Sequence, residues 1–373
     1  MNMQKVLDTL LDEGLRDGCY PGAVAACGNG EAVFAISHVG KISENGPETN
    51  EATRYDMASL SKILGPTMLA LRALEEGDLT LWDRLDRFFP GCPADKAGIT
   101  IRHLMTHTAG FNPSFFLSEA AGSPEDALRA ILERPLDTPV GAEIHYSCMG
   151  YIVLGKVLET VYGRPLDVLA HERVFEPLGM THTGYCPMGG NIAATEVDPG
   201  TGIAWQGIVH DENARFLRGV SANAGVFSDI HDMIRFAQML ARGGDGYLSP
   251  ATLRRAIACH AEDGEVRRGL GFHLAGTPEN FMGDLVPPSA FGHTGFTGTS
   301  LLVEPETGFF AVLLANRVHP TRENTRLFRF RRKMHNVLYA CSFSMQKNGI
   351  IPWIVKYSPN YLDKSLPGVI IKT

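Results

Sequence analysis

Leu7, Leu10, Leu11 and Leu15 recur at three- and four-residue spacing with acidic residues between them, the pattern of a helix with one apolar face. The period then changes. Residues 22–27 and 31–39 are short β-prone runs, and Gly28-Asn29-Gly30 between them is a hairpin signal. Over residues 61–76, Ile63, Leu64, Met68, Leu71 and Leu74 return to helical spacing, and Gly77 supplies the stop. The chain is therefore expected to open helix, strand, strand, helix, with Ser59 at the start of the second helix.

The middle of the chain reads as mostly helical, with segments at 101–106, 124–133, 149–161 and 166–175 separated by Pro and Gly. Strand signals return near Val226 and Gly271. They are clearest at 299–303 and 309–314, which the turn at 304–308 joins. Leu327, Phe330, Met334, Leu338 and Cys341 step by three or four and predict a last helix over 321–341. A sheet built from both ends of the chain follows. The expected division is a sheet domain of residues 1–77 and 200–341, a mostly helical subdomain of 78–199, and an atypical tail of 342–373. Pro352, Pro359 and Pro367 break up the tail, and it receives no functional assignment.

Composition narrows the class. The 373 residues are 44% hydrophobic and 20% charged, which gives a globular chain with material for a large core. A net charge of -7 without long like-charge runs leaves no basic footprint for nucleic acid. No stretch of about eighteen apolar residues occurs, so no spanning helix is expected. The first helix lacks the uninterrupted apolar run of a signal peptide, which points to a cytoplasmic, reduced setting unless a leader has been removed. The seven cysteines are odd in number, scattered and without a C-x-x-C pair, so neither a disulfide framework nor a zinc knuckle is expected.

The chemistry concentrates at Ser59-Leu60-Ser61-Lys62. Three residues are about one helical turn, so the hydroxyl and the amine share a face where a helix N-terminus favours developing negative charge. The tetrapeptide alone is equally well an N-cap serine beside a solvated lysine, and it recurs at 344–347. Only the first copy stands between a β-rich start and a long apolar-faced helix. Two further motifs follow in order, Tyr146-Ser147-Cys148 before a middle helix and His293-Thr294-Gly295 before the strand pair.

With these three motifs the sequence resembles the serine β-lactamase and penicillin-binding-protein superfamily, whose set is S-x-x-K, then Tyr-x-Asn or Ser-x-Asn, then Lys-Thr-Gly. The likeness is greatest to the class C β-lactamase, D-peptidase and family VIII esterase branch, and it covers residues 1–341. Residues 101–110 and 177–180 support it. The resemblance implies an α+β fold, with a central antiparallel sheet flanked by helices and a mostly helical subdomain. It makes Ser59 the nucleophile, Lys62 its proton-relay partner and Tyr146 a second base. It places the backbone N–H groups of Ser59 and Phe296 in an oxyanion hole, with His293, Thr294, Gly295 and Cys148 on the substrate side.

Departures from the pattern bear on the substrate. Cys148 stands where β-lactamases carry an amide, and His293 replaces a lysine with a side chain mostly neutral at pH 7. These changes favour a small ester or neutral amide, hence an esterase, over a β-lactam. A D-amino-acid peptidase and a catalytically silent ligand-binding protein are the alternatives. No cofactor or metal is required. His103 and His107 are four apart but lack an evident third ligand. Thr321 and Asn324 hold the places where class C enzymes face a carboxylate, and Arg322 is a candidate replacement. The 210–213 segment, His-Asp-Glu-Asn, is read as fixing a loop rather than lining a pocket. Nothing in the sequence sets an oligomeric state.

Overall fold

The computed structural model describes residues 2–347 apart from 114 and 279. Residues 348–373, most of the expected tail, lie outside the described residues, while 342–347 continue the last helix, Arg326–Lys347. Among the described residues eleven strands form: β1 Gly22–Gly28, β2 Val33–Gly40, β3 Tyr55–Asp56, β4 Gly184–Tyr185, β5 Val226–Ser228, β6 Ala261–Glu262, β7 Arg267–Arg268, β8 His273–Leu274, β9 Phe291–Thr294, β10 Ser300–Glu304 and β11 Phe309–Ala315. Eight of them make one antiparallel sheet in the order β2-β1-β11-β10-β9-β8-β7-β6. The expected hairpin is its outer pair, and β1 takes β11 as its other neighbour, with Ala23 opposite Ala315 and Gly28 opposite Phe310.

Period-two alternation explains why these central strands are apolar throughout. Val24 and Ala26 of β1, with Phe310, Val312 and Leu314 of β11, face a core shared with the helices of the middle of the chain. Ala23, Ala25 and Cys27, with Phe309, Ala311 and Leu313, face a second core under Leu7, Leu10 and Leu11 of the first helix and Leu327 and Met334 of the last. A strand covered on both faces has no position left for a polar residue. The architecture is α+β, with helices on both sides of an antiparallel sheet.

The expected helix at 61–76 is in fact two. A four-residue helix, Ser61–Leu64, ends at Gly65, and Pro66 begins the helix Pro66–Glu76. Proline lacks the N–H that would continue the ladder and suits a first helical position. Gly77 then closes the helix at φ 82°. The last helix also starts later than its period predicts. The Arg317 guanidinium donates to the carbonyls of Arg322 and Asn324 and holds that stretch as a loop.

Leu314 is fully buried on the middle-facing side of β11. Leu314→Ala is expected to cost about 2–5 kcal/mol of unfolding free energy, read from the urea midpoint, through lost burial and an unfilled cavity. A loss under about 1 kcal/mol would contradict the two-faced burial.

Candidate active site

Ser59 lies in a 3-10 turn, Ala58–Leu60, rather than at the first turn of an α-helix as expected. Its predecessor Ala58 has φ 44°, a left-handed conformation that costs free energy for a residue with a Cβ. Asp56 fixes it. One carboxylate oxygen accepts the Ala58 N–H at 2.8 Å and the other accepts the His210 N–H at 2.7 Å. The loop after β9 braces the same turn, because Thr297 Oγ1 donates to the Asp56 carbonyl and Thr299 Oγ1 to the Met57 carbonyl. Gly295 permits that approach, since a Cβ there would stand 2.4 Å from the Met57 carbonyl oxygen.

Lys62 is fully buried while Ser59 is half-buried, so the amine sits behind a reachable hydroxyl. Its Nζ donates to Ser59 Oγ at 3.0 Å, to the Asn223 carbonyl at 2.9 Å and to Cys148 Sγ at 3.6 Å. Tyr146 also hydrogen-bonds to this amine, so the three N–H bonds of the ammonium meet four acceptors. Burial alone pulls this amine down, but the groups around it, Cys148 and Tyr146 foremost, outweigh burial and hold it above its ordinary value. Burial likewise keeps the Cys148 thiol above its ordinary value, against the pull of Lys62. The Tyr146 ring centroid lies 5.0 Å from Lys62 Nζ. The three motifs therefore do meet.

His293 is 1% exposed on β9, with its ring centroid 6.3 Å from that of Tyr146. Its Nδ1 donates to the Thr294 carbonyl at 2.8 Å, which leaves Nε2 as a buried acceptor without a partner among the described residues. Burial, with Lys62 and Arg268 nearby, holds its pKa well below the usual imidazole value, so the ring is neutral at pH 7. Phe296, in the loop after β9, has a 48% exposed side chain stacked on His210.

Several other positions singled out in the sequence have structural partners. His103 and His107 do not pair: the first closes a capping box with Thr100, and the second packs on Tyr146 at 4.3 Å between ring centroids. Arg322 is not free to face a substrate carboxylate, because Glu196 and Glu212 both pair with it. Asn324 donates to the carbonyls of Gly18 and Cys19 and so ties down the N-terminal segment. The 210–213 segment reaches the site as well as bracing a loop. Asp211 accepts from Asn223 Nδ2, and the Asn223 carbonyl holds Lys62. Sequence reasoning missed Asp56, Asn223 and Arg268. Arg268 on β7 is 5% exposed, with its guanidinium carbon 5.3 Å from the Tyr146 ring centroid.

A half-buried serine paired with a buried lysine on a strained turn, braced by the loop after an antiparallel strand, fits an active-serine hydrolase. Residues 7–335 match the family model described as Beta-lactamase, and the chain belongs to that family. It is 31% identical over 317 residues to a putative D-alanyl-D-alanine carboxypeptidase of Escherichia coli (strain K12), covering 74% of this chain and 72% of that protein. Among solved structures it resembles EstCE1, a hydrolase with promiscuous acyltransferase activity, with TM-score 0.75 and 23% identity over 91% of this chain and 98% of that one. It also resembles the octameric penicillin-binding protein homologue of Pyrococcus abyssi, with TM-score 0.72 and 20% identity over 92% of this chain and 77% of that one. At these identities the structural likenesses establish the fold alone.

Burial pushes the Asp56 carboxyl up to about 6, even though the N–H groups of His210 and Ala58 favour its ionised form. An acid with a raised folded pKa binds more protons folded than unfolded, so its contribution to stability falls as pH rises from about 4 to about 6. Asp56→Asn removes that titration. Relative to wild type, the variant should therefore gain on the order of 3 kcal/mol between pH 4 and pH 7 in urea unfolding. A difference between the two proteins that stays constant with pH would contradict the assignment.

Proposed function

We propose that Ser59 is the nucleophile of an acyl-enzyme hydrolase acting on small esters, with neutral amides second. The carrying observation is the Ser59–Lys62 pair at 3.0 Å beside a third motif whose side chain, His293, is uncharged. With every N–H of Lys62 donated, one of them to Ser59 Oγ, the ammonium orients the nucleophile and cannot accept its proton in this state. Tyr146 is then the base. It takes the Ser59 proton as the Ser59 Oγ–carbonyl bond forms, and passes it to the leaving alkoxide as the ester C–O bond breaks. Water then gives a proton to the same phenolate as its oxygen bonds to the acyl carbon; the Ser59 Oγ–acyl bond breaks, Tyr146 returns the proton to Oγ, and the acid leaves.

The Ser59 and Phe296 backbone N–H groups are assigned to the oxyanion. No group among the described residues accepts from the Phe296 amide, which supports its being available. Three departures weigh against carboxylate-bearing substrates: the neutral His293, a thiol at Cys148 in place of an amide, and the double pairing of Arg322. The putative carboxypeptidases among the relatives favour a second reading, cleavage of D-alanyl peptides.

Kinetics on a p-nitrophenyl short-chain ester, a D-alanyl-D-alanine peptide and nitrocefin, run side by side, test the order. The expected result is a kcat/KM for the ester at least about tenfold above the others, lowered about a thousandfold or more in Ser59→Ala. Intact-mass spectrometry should show an acyl adduct that maps to the peptide carrying Ser59. Preference for the peptide would favour the second reading, and undiminished turnover in Ser59→Ala would remove both.

A further inference from the structure

Arg268 is a buried cation near this site that the three motifs do not explain. It is 5% exposed, it forms no ion pair among the described residues, and its Nε and Nη1 are buried without a hydrogen-bond partner. A buried guanidinium left in this way is costly, so something in the working enzyme must offset it. Its guanidinium carbon lies 5.3 Å from the Tyr146 ring centroid. Lys62 approaches the same ring at 5.0 Å. The phenol thus lies close to two cations.

The remaining groups around Tyr146 add no negative charge at neutral pH. His107, 4.3 Å away between centroids, accepts the Ser147 N–H at Nδ1, and burial with Arg268 and Lys62 nearby holds it well below the usual imidazole pKa. His293 on β9 is neutral for the same reason, and His273 on β8 stands edge-on to it at 4.8 Å and is depressed likewise. Burial keeps the Tyr151 phenol up at about 12, and the Cys148 thiol is raised. The carboxylates whose fields reach the cations are Asp211 for Lys62 and Asp263 for Arg268, and neither is ion-paired with them.

We infer that Arg268 is a positioning residue for the reaction: its uncompensated guanidinium, acting with Lys62, holds Tyr146 as the phenolate that takes the Ser59 proton. The inference rests on the reading of Tyr146 as the base. It also gives the site a cation where His293 supplies none. Burial pushes Arg268 down only to about 10, so it remains charged at neutral pH. The ion pair forms when Tyr146 gives up its proton, and it lapses each time the phenol is protonated during turnover. No bond is made to Arg268 in any step.

The test compares pH profiles of kcat/KM on a neutral ester for wild type, Arg268→Lys, Arg268→Met and Tyr146→Phe. An opposite charge close by lowers an acid's pKa by about 1–3 units. Its loss in Arg268→Met should move the acid limb assigned to Tyr146 to higher pH by about one unit or more, with about a tenfold or greater loss at pH 7. Arg268→Lys should restore most of both. Asp56 is untouched by these changes, and any limb it contributes should stay in place. A profile in Arg268→Met that superimposes on wild type overturns the inference. So does a loss confined to carboxylate-bearing esters, which would make Arg268 a substrate ligand.

A second measurement does not require the Arg268→Met variant to fold. Ultraviolet titration of wild type minus Tyr146→Phe isolates the Tyr146 ionisation. It is expected to occur at lower pH than that of a tyrosine free in water, and ionisation at or above the free tyrosine's overturns the inference. Full activity in Tyr146→Phe would instead remove the assignment of Tyr146 as base, a failure distinct from that of Arg268.

Discussion

The Lys62 ammonium, buried and without a carboxylate on it, is the constraint around which the site is organised. Three of its hydrogen bonds run to Ser59 from the first part of the chain, Cys148 from the middle helices and the Asn223 carbonyl ahead of β5. A buried cation must find acceptors or lose its charge, so these three segments are held to one geometry by a single atom. Asp56 makes a matching tie of opposite sign, binding the turn before Ser59 to the His210 backbone. Ser59 stands between a buried cation and a buried carboxylate that do not touch each other.

In the proposed mechanism this arrangement separates orientation from proton transfer. An amine with a free lone pair could do both, and an ammonium that already donates to the hydroxyl can only orient it. The second task passes to Tyr146, whose ring faces cations and neutral imidazoles. Fold likeness by itself leaves the reaction open, because the neighbours include a penicillin-binding protein homologue and a hydrolase with acyltransferase activity on one scaffold. The side chains at 148 and 293 are where this chain departs from the motif pattern.

Periodic features were legible in the sequence. Leucine spacing marked the first and last helices, the Gly-Asn-Gly turn marked the hairpin, and the ordered motifs brought Ser59, Lys62, Tyr146 and His293 together before any coordinates. What escaped was either too short to have a period or depended on tertiary contact. β6, β7 and β8 are two residues each, so no alternation could identify them or place Arg268 beside Tyr146. Asp56 reads as one more acid until the chain folds His210 onto it. Gly65-Pro66 was visible as a pair, but continuous apolar spacing on both sides masked the break. Arg322 was misread because its partners, Glu196 and Glu212, are more than a hundred residues away.

The pairing of β1 with β11 has a consequence for how the protein is made. Ala23 meets Ala315, so the first hairpin emerges from the ribosome roughly 290 residues before its central neighbour exists. At about 5–20 residues per second, that is a wait of roughly 15 to 60 seconds. During it, a strand destined for burial on both faces has one edge unpaired and the face that meets the middle helices still incompletely covered. Cellular yield should therefore depend on what shelters the nascent amino-terminal segment as much as on the stability of the finished molecule.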